Sequence, residues 1–173
     1  ESSSNSGGFV INGASEGDVS GWSVSGAGDV NGDGLEDIYL SSPAGQAGRV
    51  FVKKSDAVGF VEKGSVQFDV DAKNEDMAPL FFDADDDGDQ DLYVVSGGVE
   101  GEPGSGVFRD RLYLNDGDGN FKKTPGGAGP IEGESGSVVC AADYDRDGDL
   151  DLFVGGRVIP GNYPESPMSR LLR

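Results

Sequence analysis

Three short segments of this chain share one pattern: D-x-[DN]-x-D-G-x-x-D, followed at once by an apolar run. They read DVNGDGLEDIYL from Asp29, DADDDGDQDLYV from Asp83 and DYDRDGDLDLFV from Asp143. The first Asp recurs after 54 and then 60 residues. Three copies in one chain exclude coincidence, and internal repetition constrains a fold more than any local propensity does.

Side-chain oxygens fall at positions 1, 3, 5 and 9 of each copy. These are Asp29, Asn31, Asp33 and Asp37; Asp83, Asp85, Asp87 and Asp91; Asp143, Asp145, Asp147 and Asp151. Alternation sets the first three on one side of a curling backbone. Gly34, Gly88 and Gly148 at position 6 permit the turn that closes the loop. The carbonyls at position 7, of Leu35, Asp89 and Asp149, can then point inward. Hard oxygen donors in this number suit Ca²⁺ better than Mg²⁺, which keeps more water and wants stricter geometry. Zinc prefers His or Cys, and the chain has no His and a single Cys. The expected cofactor is Ca²⁺, about three ions per chain. Without a cation, the converging carboxylates would repel one another.

The loops are not EF-hands. An EF-hand needs a bidentate acid at position 12, where this chain has Leu40, Val94 and Val154. The residues that follow are short, β-rich and soon interrupted by Gly, Ser or Pro, so each loop runs into a strand. An apolar segment precedes each loop: GWSVSGAGDV, MAPLFFDAD and SVVCAADYD. A third strand is expected in GRVFVKK, DRLYLND and SRLLR, and a fourth near GSVQFDV and at GNFKKT. The acidic turn NDGDGN, residues 115–120, lacks the ligand register and reads as a hairpin turn between strands three and four. Four strands per unit of about 55 residues gives small sheets that cover one another, the arrangement of an all-β propeller. A β-sandwich explains short strands but not three identically placed loops.

These residues resemble the FG-GAP repeats of integrin alpha-subunit propellers and the related VCBS-type repeats. The first unit, GDVSGWSVSGAGDVNGDGLEDIYLSSPAGQAGRVFV, follows the FG-GAP pattern with Trp22 in place of Phe and SSP in place of GAP. PLFFDADDDGDQDLYVVSGG and LYLNDGDGNF are closer to the VCBS style. The resemblance implies calcium in the strand 1–2 loops, on one face of a propeller. It implies partners on the opposite face, where loops join strand four to one and two to three. The expected division is a Ser/Gly-rich, flexible segment 1–7 and three blades at 8–54, 55–123 and 124–173, the last lacking its outer strand. GFVING reads as a fourth strand with no blade before it. Family propellers usually close with six or seven blades. Three blades imply either a head-to-tail homodimer completing a six-bladed ring, a heterologous contact that closes, or part of a longer chain.

Charge and composition narrow the partners. A formal charge of -19 over 173 residues repels phosphate backbones, so nucleic acid is a poor partner. No run of 18 apolar residues occurs, which excludes helical membrane insertion. The single Cys140 cannot form an intrachain disulfide, and its apolar surroundings read as a buried site. The expected partner is a protein or glycan, met by Asn12–Gly21, Gly97–Val107, Gly126–Gly136 or Val158–Ser166. Glu100, Glu102, Glu132 and Glu134 read as solvated surface.

Weak extracellular-type calcium sites fill only at about 10⁻⁴ to 10⁻³ M, so the expected location is extracellular, cell-surface or periplasmic. The absence of His removes Ser–His and Cys–His chemistry. No phosphate-cradling Gly motif is present. The reading is a non-catalytic module for interaction or adhesion. The alternative is a propeller-type glycan-active enzyme using paired carboxylates, or an accessory domain of one.

Overall fold

A computed structural model of the chain describes residues 23–55, 59–126, 128 and 134–173. The segment 1–7, GFVING, Trp22 and the Asn12–Gly21 loop lie outside the described residues, as does most of Gly126–Gly136.

The fold is nearly all β and consists of three antiparallel sheets. The first has the order β1 (Ser23–Gly28), β2 (Asp37–Ser41), β3 (Arg49–Lys53), β4 (Phe60–Lys63). The second runs β5 (Glu75–Phe82), β6 (Asp91–Gly97), β7 (Arg111–Leu114), β8 (Lys122–Lys123). The third has three strands, β9 (Ser135–Ala142), β10 (Asp151–Val158) and β11 (Arg170–Leu172). Each is a meander of the kind that forms a propeller blade. SRLLR is the third strand of its sheet, with Leu152 opposite Leu172. The 115–120 turn joins β7 to β8.

One expected strand is absent. GSVQFDV holds a short helix, α1 (Val66–Val70), and the fourth strand is Phe60–Lys63, pairing Val61 with Val52. Val66, Phe68 and Val70 alternate as a strand would, but only Phe68 is buried; both valines face solvent. The helical turn aims Phe68 into the core, edge-on to Tyr39 and Tyr113 at ring separations of 5.9 and 5.0 Å.

The second sheet is buried on both faces, which explains the unbroken apolar run Leu92–Val95. Leu92, Val94 and Tyr113 pack with Tyr39, Val50 and Val52 of the first sheet. Tyr93 and Val95 pack with Leu152 and Val154 of the third. The same loop-motif position, two residues after the last Asp, thus supplies the ring that meets the next sheet. Tyr39 and Tyr93 are each 1% exposed. Phe153, the third member, is 46% exposed.

The same face of the third sheet overturns the expectation for Cys140, which is exposed. Along β9, Val139 and Ala141 pack toward the second sheet, so period-2 alternation turns Val138, Cys140 and Ala142 outward. An apolar stretch such as SVVCAA covers both faces of a sheet and does not reveal which face is bare. Cys140, Ala142, Tyr144, Phe153 and Leu171 line a groove of about 320 Å³ there.

A buried polar network joins the first two sheets. The Arg111 guanidinium meets Asp76 at 2.6 Å. Asp76 also accepts from the Tyr39 hydroxyl at 2.8 Å. The Tyr113 hydroxyl and the Lys123 ammonium donate to Asp71 at 2.8 and 2.6 Å. Gly48 lets this network close: a Cβ there would fall on the Tyr39 hydroxyl and lie 2.6 Å from Asp76. Burial, and then the Asp76 charge, hold the Tyr39 hydroxyl well above its ordinary value.

Candidate metal centre

The three acidic loops join β1 to β2, β5 to β6 and β9 to β10. They occupy the same place in each sheet, the connection between its first two strands. Their internal hydrogen bonds repeat. At position 1, Asp29 accepts from the Asp33 and Gly34 amides at 3.1 and 2.7 Å. Asp83 does the same with Asp87 and Gly88 at 3.2 and 2.9 Å. At position 5, Asp33, Asp87 and Asp147 accept from the amides of Leu35, Asp89 and Asp149. The turn needs positive φ at position 6, where Gly34, Gly88 and Gly148 have 81°, 93° and 105°. It also needs it at position 4, where Gly32, Asp86 and Arg146 have 69°, 61° and 64°. Only the first copy displays that second requirement, through its Gly32.

Position 9 carries a role that spacing alone does not reveal. Asp37, Asp91 and Asp151 are all buried. One oxygen of each accepts from the amide at position 2: Val30 at 3.1 Å, Ala84 at 2.8 Å and Tyr144 at 2.8 Å. The other oxygen of Asp37 accepts from Lys53, and that of Asp91 from Asn115, both at 2.8 Å. This acid therefore pins the loop to the sheet. Each carboxylate oxygen has a second lone pair with which to face a cation.

The structure brings Asp83, Asp85 and Asp91 together, with one oxygen of each within 4.8 Å of the others. Asp143, Asp145 and Asp151 converge in the same way. The position-5 acids of these loops, Asp87 and Asp147, lie outside the two groups, and each has an oxygen that accepts from the amide two residues on. The first loop, with Asn31 at position 3, donates from that amide to Asp33 at 3.2 Å.

The electrostatics favour a cation. Burial raises the Asp37 and Asp91 carboxyls, and their backbone donors pull them back only in part. Asp85 is raised by lost solvation and then by the charges of Asp87 and Asp83. Asp145 is raised by lost solvation and then by Asp147 and Asp151. Asp89 is raised by lost solvation, then by Asp87, Asp83 and the turn acids Asp116 and Asp118. A divalent ion removes that repulsion, and an all-oxygen donor set of carboxylates and carbonyls fits calcium. The turn acid Asp116 behaves otherwise. Its carboxylate accepts from the Asn120 side chain and from two amides of its own turn, which lowers it.

Among the acids expected on the surface, Glu102 is exposed. Glu134 is only 13% exposed and pairs with Arg170 at 3.4 Å. Exposed Glu100 adjoins buried Glu75 over Gly98, and burial followed by the Glu100 charge raises the Glu75 carboxyl. Glu132 lies outside the described residues.

An FG-GAP repeat family model matches residues 20–52, spanning the first loop. An FG-GAP-like repeat model matches residues 83–154, spanning the second and third. No curated protein matches the chain. The acidic loops, their place between the first two strands of each sheet and the two family matches agree: the chain carries FG-GAP-type repeats over residues 20–52 and 83–154.

Proposed function

We propose that this chain is a calcium-stabilised, non-catalytic propeller module that presents loops to a protein or glycan partner outside the cytosol. The carrying observation is the convergence of three carboxylates in each of two loops that occupy equivalent places in their sheets. FG-GAP repeats form β-propeller modules often involved in ligand interaction, which supports the interaction reading. Among the described residues no helix is long and apolar enough to cross a membrane. A calcium address outside the cytosol follows from weak sites of this donor type. A glycan-active enzyme would have to draw its carboxylates from outside the loops, and Glu75 with Glu100 is one such pair among the described residues.

Calorimetric titration with CaCl₂ tests the assignment. About three ions per chain are expected, falling by one in Asp85→Ala and by one in Asp145→Ala. A titration without heat above dilution, confirmed by equilibrium dialysis, removes calcium from the function.

The bare face of the third sheet supports a further part of the reading. Exposed Val138, Phe153 and Leu171 occupy the face that in the second sheet packs on its neighbour. We assign them to a head-to-tail contact with a second copy. Light scattering in calcium should give about twice 17.9 kDa, and Phe153→Asp should halve it. A wild-type mass of one chain at all concentrations rejects the homodimer.

A further inference from the structure

The first two acidic loops both lie against the β7–β8 turn, and Asn115 of that turn hydrogen-bonds to each. Asn115 is 6% exposed, and its backbone N–H and both ends of its carboxamide are engaged. Its backbone N–H donates to Asp91 at 2.8 Å. Its carboxamide nitrogen donates to the carbonyls of Val30 at 2.9 Å and Gln90 at 3.2 Å. Its carboxamide oxygen accepts from the Asp116 amide at 3.0 Å. Val30 is position 2 of the first loop, and its own amide donates to Asp37 at 3.1 Å. Gln90 is position 8 of the second loop, next to Asp91.

A path of hydrogen bonds therefore runs from Asp37 to the Val30 N–H, from the Val30 carbonyl to the Asn115 carboxamide, and from the Asn115 backbone N–H to Asp91. Both ends are the buried position-9 acids of neighbouring loops. Other contacts seat the same turn. The Lys63 ammonium donates to the Asp118 carbonyl, and a Cβ on Gly28 would lie 3.3 Å from the Gln90 side chain. Among the described residues no such bond joins the second loop to the third. There Asp145 instead pairs with Arg173 at 3.3 Å.

We propose that Asn115 couples cation binding at the first loop to cation binding at the second, an inference that rests on the calcium reading above. An ion held by the second loop immobilises Asp91. Asp91 holds the backbone of Asn115, and so the direction of its carboxamide. The carboxamide in turn holds the Val30 carbonyl, and so the residue whose backbone N–H donates to Asp37. The second ion enters a loop that is already ordered, and the ordering cost it meets is smaller. The coupling is positive and, being a free energy, is the same read from either loop. Asn115 is a positioning residue and not itself a ligand.

Calorimetry on the full 173-residue chain tests this with CaCl₂ as titrant and the third loop silenced by Asp145→Ala. Adding Asp85→Ala leaves the first loop alone, and adding Asp33→Ala leaves the second alone. With both loops intact, the product of the two association constants should exceed the product of the single-loop values by about fivefold or more. Adding Asn115→Ala to all three chains should bring that ratio to about one while two ions still bind. A residue that is merely structural would weaken both loops and leave the ratio unchanged. A ratio near one with Asn115 present, and two ions bound, overturns the coupling and leaves the calcium reading standing. Absence of binding in every chain removes both. Should Asn115→Ala fail to fold by circular dichroism, the ratio measured with Asn115 intact still decides whether coupling exists. Asn115→Ser, which keeps a shorter donor, then tests whether Asn115 carries it.

Discussion

Replacing Arg111 with alanine should destabilise the protein by about 3–5 kcal/mol, the usual cost of stranding one partner of a buried ion pair. Asp76 would keep its hydrogen bonds from the Tyr39 hydroxyl and the Ser42 amide. It would lose the Arg111 guanidinium, the cation that meets it at 2.6 Å among the described residues. Arg111 would also release Ser96, to which its Nε donates at 3.2 Å. Thermal or urea unfolding at pH 7 should show the deficit. The double variant Asp76→Asn/Arg111→Met, which removes both charges and keeps an acceptor for Tyr39, should recover most of the loss. A single variant as stable as the wild type at pH 7 would show that the network contributes nothing to holding the first two sheets together.

Removing calcium should have an effect of similar size. At a few times its dissociation constant each site adds about 1 kcal/mol, and three sites add about 3 kcal/mol. For a chain of this size 1 kcal/mol corresponds to about 2–4 °C, so chelation should lower the melting temperature by about 6–12 °C relative to millimolar calcium. Raising calcium further should continue to raise the melt, as mass action requires. Equal melting temperatures in chelator and in millimolar calcium would contradict a stabilising role for the ions. Magnesium in place of calcium should recover little of the difference, because the loops offer carboxylates and carbonyls in a flexible arrangement and not a strict octahedron.

The loops were legible because their chemistry is local. Alternating oxygens, a glycine at position 6 and an acid at position 9 all lie within nine residues, and the turn that brings them together needs nothing from the rest of the chain. The strands after each loop were legible for the same reason: Val, Ile, Leu and aromatic residues in runs of three or four, cut short by Gly or Ser. What failed was decided by neighbours distant in sequence. Phe68 shares an alternating pattern with Val66 and Val70, and only the hole between Tyr39, Tyr113 and Phe121 selects a helical turn that buries it alone. Cys140 sits in an apolar strand, but burial depends on which sheet face has a neighbour. Asn115 carries no mark beyond that of a turn residue, because its partners, Val30 and Gln90, lie 85 and 25 residues away.

By itself the sequence determined the repeat, the three acidic loops with their candidate ligands, and an all-β chain of small sheets. These follow from residue chemistry at short spacing, where backbone geometry leaves few choices. The tertiary structure alone decided which faces of those sheets are buried, that Asp76 and Arg111 meet across 35 residues, and that two loops are joined through one carboxamide. Those are contacts between separate sheets, set by how the sheets stack, and no local pattern encodes the stacking distance or the partner.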